Sequence, residues 1–129
     1  MKRLMGLLTM LCSLLSCDAQ TDGFKSLSVE EYATTIKDTA VVRLDVRTAE
    51  EFAEGHIANA LNIDVLKDDF ESKAVAALPK DKTIAVNCRS GKRSKNAARI
   101  LVKNGFLVIE LDSGYNGWVS QGMPITKEQ

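Results

Sequence analysis

Thr83-Ile84-Ala85-Val86-Asn87-Cys88-Arg89-Ser90-Gly91-Lys92-Arg93 reads as a strand that ends on a cysteine and turns, through one glycine, into a helix. Thr83 to Asn87 is a short apolar run of the kind a buried strand shows. Ser94 to Asn104 has helical spacing and then meets Gly105, a stop signal. A cysteine held between a strand top and a helix N-terminus lies among backbone N–H dipoles and cationic side chains. Such surroundings favour the thiolate and hold anions beside it. The plainer alternative, a buried inert cysteine, fits poorly with a loop that is cationic and contains glycine.

Outward from this stretch, strands and helices alternate. Ser28-Val29-Glu30-Glu31 fits a capping box, and Val29, Tyr32, Ala33 and Ile36 line one helical face. Ala40 to Val46 is rich in β-branched residues and reads as a strand. Thr48-Ala49-Glu50-Glu51 is a second capping box, opening a short helix that stops at Gly55. Ala60 to Ile63 is a brief strand. Leu66, Phe70, Ala74, Ala77 and Leu78 form another apolar stripe, ended by Pro79. Leu107 to Leu111 is the last strand, and Tyr115 to Gln121 a terminal helix. Alternating helices and near-continuous apolar strands predict an α/β fold, a doubly wound parallel sheet with helices on both faces. In such sheets ligands bind beyond the carboxyl ends of the strands, where Cys88 falls.

The chain has 129 residues, enough for one modest domain and too few for two. Its start reads as a targeting segment: Lys2 and Arg3, then an apolar stretch from Leu4 to Leu15, too short to span a membrane comfortably. Leu14-Leu15-Ser16-Cys17 resembles the lipobox of bacterial lipoproteins, in which the cysteine is lipidated and becomes the first mature residue. The expected organisation is a signal peptide over 1–16, a lipidated Cys17 with a polar tether over 17–27, and one domain over 28–126. An ordinary secretory signal cut nearby, for instance after Ala19, is the alternative. Both put the protein outside the cytoplasm, the first anchored by lipid to a bacterial membrane and facing the periplasm.

Loss of residues 1–16 leaves 15 basic and 17 acidic residues, and six of the basic ones (Arg89, Lys92, Arg93, Lys95, Arg99, Lys103) lie between Cys88 and Lys103 with no acidic residue among them. An acidic protein with one basic patch around a cysteine suits a small anionic substrate. Nucleic acid would call for a broader basic face with interleaved aromatic residues. With Cys12 in the signal and Cys17 lipidated, Cys88 is the one remaining free thiol, so it is either reactive or an intermolecular link.

Three motifs in order make a pattern. Leu44-Asp45-Val46-Arg47, Glu51-Phe52, Gly55-His56-Ile57 and Ala60-Leu61-Asn62-Ile63 resemble the N-terminal signature of rhodanese domains. Cys88 to Ser94 resembles their active-site loop. Gly114, Gly117-Trp118 and Gly122-Met123-Pro124 resemble their C-terminal motif, and Tyr115-Asn116 departs from it where many members have a second glycine closer to the first. The resemblance runs from about Ser28 to Ile125. It implies a single-domain rhodanese with a five-stranded parallel sheet and a cysteine that carries sulfane sulfur.

The chemistry expected of such a site is sulfur transfer through a Cys88 persulfide, from thiosulfate or a related donor to cyanide or a thiol. Arg89, Ser90, Gly91, Lys92, Arg93 and Ser94 form the substrate-binding loop. Arg89 and Arg93 are matched to the donor's oxygens by their forked geometry, and Lys92 contributes more loosely. Asp45 and Arg47 are read as structural support, a carboxylate fixing loop amides and an arginine paired to it or to a neighbouring helix. His56 is read as a packed loop residue, Trp118 as core or rim packing, and Lys95, Arg99 and Lys103 as a solvated helix face. No cofactor or metal is expected, and the domain is read as a monomer. The rival readings are a sulfur carrier or non-catalytic binding module serving a partner, and a phosphatase or arsenate reductase. The latter resemble a Cys-x5-Arg loop, one residue longer than the spacing from Cys88 to Arg93.

Overall fold

The computed structural model describes residues 22–128. The proposed signal peptide and Cys17 lie outside the described residues. In chain order the elements are β1 (Lys25–Leu27), α1 (Val29–Thr35), β2 (Val41–Asp45), α2 (Ala49–Glu54), β3 (Leu61–Asn62), α3 (Phe70–Ala77), β4 (Thr83–Asn87), α4 (Lys92–Lys103), β5 (Leu107–Leu111) and α5 (Gly114–Ser120). All strand pairs are parallel, and the five strands lie in the order β1-β5-β4-β2-β3. The α/β doubly wound sheet expected from the sequence is therefore the observed fold.

Alternation along the strands divides the core in two. On one face Leu44, Ile84 and Val86 pack against Phe70, Ala74 and Leu78 of the α3 region and Ala97, Ala98 and Leu101 of α4. On the other, Ala85 and Leu111 pack against Val29, Tyr32 and Ile36 of the α1 region and Trp118 of α5. Ile84, Ala85 and Val86 are all fully buried because β4 is central and covered on both sides. Truncating Ile84 to alanine would cost about 2–5 kcal/mol. The strand order reverses around β4, with β2 and β3 on one side and β5 and β1 on the other. Its carboxyl end is thus the switch point of the sheet, and Cys88 is the next residue.

Two of the helices, α1 and α2, start where their capping chemistry says they should. Ser28 and Glu31 exchange side-chain and backbone hydrogen bonds at the head of α1, and Thr48 and Glu51 do the same at α2. Two expectations need correction. Residues 25–27, assigned to the tether, form the edge strand β1, pairing Lys25 to Leu27 with Ile109 to Leu111. Three residues with a polar centre are too few to display a period. The stripe from Leu66 to Leu78 is also narrower than expected. Leu66 is 65% exposed, because its N–H is taken by the Asp64 side chain at 2.9 Å in a turn that precedes α3. Ala77 faces solvent.

Candidate active site

The loop after β4 is shaped by two glycines. Gly91 caps α4 at φ 103°, and a Cβ there would collide with the backbone carbonyl of Asp112. At Gly114, with φ 67°, a Cβ would collide with the Arg89 carbonyl. A backbone this tight admits no side chain. The start of α5 then clamps the loop: Tyr115 N–H donates to the Cys88 carbonyl at 2.8 Å and Asn116 N–H to the Arg89 carbonyl at 2.9 Å.

Within this clamp Cys88 is 1% exposed. Its Sγ accepts the Gly91 N–H at 3.1 Å and lies 3.4 Å from Ser94 Oγ. No side chain caps the N-terminus of α4, so its first-turn N–H groups are left to whatever anion the loop holds. Ser94 was expected to bind substrate from the loop. Instead it is fully buried on the inner side of the sulfur, its hydroxyl donating to Glu110 Oε2 at 2.6 Å. One turn of α4 past Gly91 carries it under the loop rather than over it.

Arg93 likewise departs from its expected role. Its guanidinium grips Glu51 of α2 through two parallel bonds, Nη1 to Oε1 at 2.9 Å and Nη2 to Oε2 at 3.0 Å. That grip is the largest cause holding the Glu51 carboxyl down at about 2. Arg93 is thereby a strut between α4 and α2 rather than a free ligand for donor oxygens. Arg89 is different: it is 64% exposed and only 3.9 Å from Glu51 at its nearest. Ser90 and Lys92 are also exposed. Lys95, expected on a solvated face, reaches Asp112 Oδ1 at 2.9 Å, the Gly91 carbonyl at 3.2 Å and Glu110 Oε2 at 3.3 Å. The basic patch is therefore partly neutralised by acids that arrive from α2 and β5.

Asp45 and Arg47 form a buried pair at the carboxyl end of β2. Asp45 Oδ1 accepts the Arg47 N–H at 3.0 Å, and Arg47 Nη2 donates to Asp45 Oδ2 at 2.7 Å and to the Gly55 carbonyl at 2.8 Å. The guanidinium lies 4.1 Å from the centre of the Tyr115 ring. One arginine thus ties β2 to the end of α2 and to α5. Arg47, Glu51, Arg89 and Tyr115 line a cleft of about 250 Å³ beside the loop. Tyr115, the departure noted in the sequence, is its aromatic wall.

Residues 28–121 match the family model described as the rhodanese-like domain. The chain belongs to the rhodanese-like domain family. Among its relatives, Protein HIGH ARSENIC CONTENT 1, mitochondrial, of Arabidopsis thaliana is 37% identical over 89 residues, covering 61% of this chain and 53% of that protein. The chain thus spans about half the length of that relative. Thiosulfate sulfurtransferase 16, chloroplastic, also of Arabidopsis thaliana, is 34% identical over 91 residues, 63% of this chain and 76% of that one. A sulfurtransferase of Allochromatium vinosum is 33% identical over 98 residues, 74% of this chain and 89% of that one. The crystal structure of a rhodanese-related protein from Thermoplasma volcanium superposes with a TM-score of 0.73 at 32% identity, covering 81% of this chain and 99% of that one.

In this rhodanese-like domain His56 and Trp118 both lie in the packing. His56 stacks on Phe52 with ring centres 3.6 Å apart, and its two ring nitrogens are 2.8 Å from the carbonyls of Phe52 and Glu128. Trp118 donates to the Pro124 carbonyl at 2.8 Å. The residue that sequence reasoning missed is Glu110. A glutamate inside Leu107-Val108-Ile109-Glu110-Leu111, in a sheet covered on both faces, has nowhere polar to point, and that conflict was the available signal.

Proposed function

We propose that this protein is a sulfurtransferase that carries sulfane sulfur on Cys88. The observation that supports this most is the setting of Sγ. It sits at the sheet's switch point, with a backbone N–H at 3.1 Å, inside a glycine-shaped loop of a rhodanese-like domain. The Cys88 thiolate attacks the outer sulfur of thiosulfate, and sulfite leaves with the electron pair of the broken S–S bond. The resulting persulfide is then attacked at its outer sulfur by cyanide or a thiol, which releases the Cys88 thiolate. Two easy displacements replace one hard one. Loop N–H groups and the α4 terminus stabilise the terminal sulfur, and Arg89 is the cation best placed to meet the donor's oxygens. Relatives bearing sulfurtransferase names at about a third identity support the same reading.

The reading is tested by following thiocyanate formation from thiosulfate and cyanide. Cys88→Ser, nearly isosteric, is expected to abolish it while the fold remains. Residual transfer in that variant contradicts the mechanism. The burial of Cys88 favours, as a second reading, a sulfur carrier that yields its sulfur to one docked partner and turns small acceptors over slowly. A phosphatase or arsenate reductase is disfavoured by the spacing. The position a Cys-x5-Arg loop gives to arginine is Ser94, and Arg93 is held by Glu51. We further propose an extracytoplasmic site of action through a lipid on Cys17, which the sequence Lys2-Arg3, Leu4 to Leu15 and Leu14 to Cys17 supports.

A further inference from the structure

Behind Cys88, away from solvent, lies a chain of polar groups that sulfur transfer as written does not use. Cys88 Sγ is 3.4 Å from Ser94 Oγ, and Ser94 Oγ is 2.6 Å from Glu110 Oε2. Ser94 and Glu110 have no exposed surface. Glu110 also receives the Ser26 hydroxyl on Oε1 at 2.5 Å and the Lys95 ammonium on Oε2 at 3.3 Å. Three donors on one buried carboxylate keep it in place and oriented.

Ser94 has a single hydroxyl proton and three neighbours that could take it: Glu110 Oε2 at 2.6 Å, the Gly91 carbonyl at 3.2 Å and Cys88 Sγ at 3.4 Å. The shortest bond runs to Glu110, so the lone pairs of Ser94 Oγ are left facing the sulfur. A serine oriented in this way accepts from a thiol and does not donate to a thiolate. We propose that Glu110, acting through Ser94, takes the proton from Cys88 and so generates the nucleophile. The S–H bond of Cys88 breaks and its proton joins Ser94 Oγ, while the serine's own proton passes to Glu110 Oε2. The electron pair stays on sulfur, and Glu110 becomes a neutral carboxylic acid. Net charge within the buried site is unchanged, which avoids the desolvation cost of making a second anion there. Lys95 keeps a partner throughout, because Asp112 Oδ1 lies 2.9 Å away. The proton returns along the same path when Cys88 leaves the persulfide.

The other charged and titratable groups around the relay are few. Lys95 of α4 and Asp112 beyond β5 face Glu110, and the buried Tyr32 of α1 feels the charge of both Glu110 and Asp45. Arg89 lies in the Cys88 loop, and Lys92 and Arg93 open α4. None of these lies between the thiol and Glu110. The relay and simple electrostatics then differ in sign. A fixed negative charge behind the sulfur disfavours the thiolate, so replacing Glu110 by glutamine should speed the reactions of Cys88 if charge were all that mattered. A proton acceptor does the opposite below neutral pH.

The inference rests on Cys88 being a nucleophile, so the test reads its reactivity without sulfur transfer. Iodoacetamide alkylation of the Cys88 peptide is followed by mass across acidic to alkaline pH for wild type, E110Q, S94A and S94T, with melting temperatures confirming that each is folded. Wild type should show a shelf of pH-independent reactivity below neutrality, where one proton is shared between sulfur and carboxylate. E110Q and S94A should lose that shelf and react on the order of a hundredfold more slowly there. S94T, which keeps the hydroxyl, should retain the shelf. E110Q reacting as fast as wild type or faster below neutrality overturns the relay. Persulfide formation on thiosulfate, measured alongside, separates the two ideas. A shelf without persulfide keeps the relay and removes the sulfurtransferase, and persulfide without a shelf does the reverse.

Discussion

Arg93 and Glu51 face each other as fork and carboxylate, with parallel bonds of 2.9 and 3.0 Å that join the helix behind the reactive loop to the helix after β2. Glu51 is at the same time the capping residue of its own helix, its Oε1 receiving the Thr48 N–H at 2.9 Å. One side chain thus fixes a helix start and the position of the loop.

This pairing makes stability depend on acid. The Glu51 carboxyl is held at about 2 in the folded chain against an ordinary 4.5, so its contribution is complete above the higher value and drains away as pH falls toward the lower. E51Q should lose about 1–2 kcal/mol at neutral pH, less than the shift itself implies, because the pair is partly screened by solvent. Urea unfolding at neutral and acidic pH checks this: the difference between wild type and E51Q should shrink as pH drops through that window. A constant difference contradicts the assignment.

Arg89 is exposed, and its nearest acidic group is 3.9 Å away, so it is freer than Arg93 to meet the donor. R89A should raise the KM for thiosulfate by about five- to tenfold, equivalent to roughly 1 kcal/mol of a screened charge contact, with kcat changed much less. Added salt should weaken the wild type toward the variant. R93A is expected instead to lower the melting temperature first.

The two loop glycines carry a steric prediction. G91A and G114A each place a Cβ against a backbone carbonyl at a positive φ, where neither partner can give way. Each should cost about 1–3 kcal/mol from strain alone, and more from the clash. Circular dichroism melts check the cost, and thiosulfate turnover should fall with it, since the loop that holds Cys88 is what distorts.

His56 offers a control for the catalytic assignment. Its backbone exchanges two bonds with Thr126, at 2.9 and 2.8 Å, and its ring stacks on Phe52, so it holds the C-terminal strand-like tail to the end of α2. H56A should lower the melting temperature and loosen amide protection around Thr126. Its kcat with thiosulfate should stay close to wild type at temperatures where it is folded.

Much of this architecture was legible in the sequence because it follows from short-range chemistry. The apolar strand before Cys88, the two capping boxes and the stop glycines are local signals, and the helices and strands fall where they point. What was hidden is what depends on elements meeting. Lys25 to Leu27 becomes a strand only because β5 lies beside it. Arg93 and Lys95 looked like free charge along a basic helix, yet Glu51 lies 42 residues from the one and Glu110 lies 15 from the other. Charge counted along a chain cannot see partners brought by a fold. Glu110 alone broke the local pattern of its strand, and that break marked the buried carboxylate that lies behind Ser94 on the sulfur's inner side.

Whether Cys88 holds sulfur covalently is read from the intact mass of the protein before and after thiosulfate. Thiosulfate should add one sulfur atom to the Cys88 peptide, lost again as thiocyanate when cyanide is added and absent from C88S. A mass that stays unchanged with thiosulfate, polysulfide and thiol-bound sulfane donors alike would contradict it.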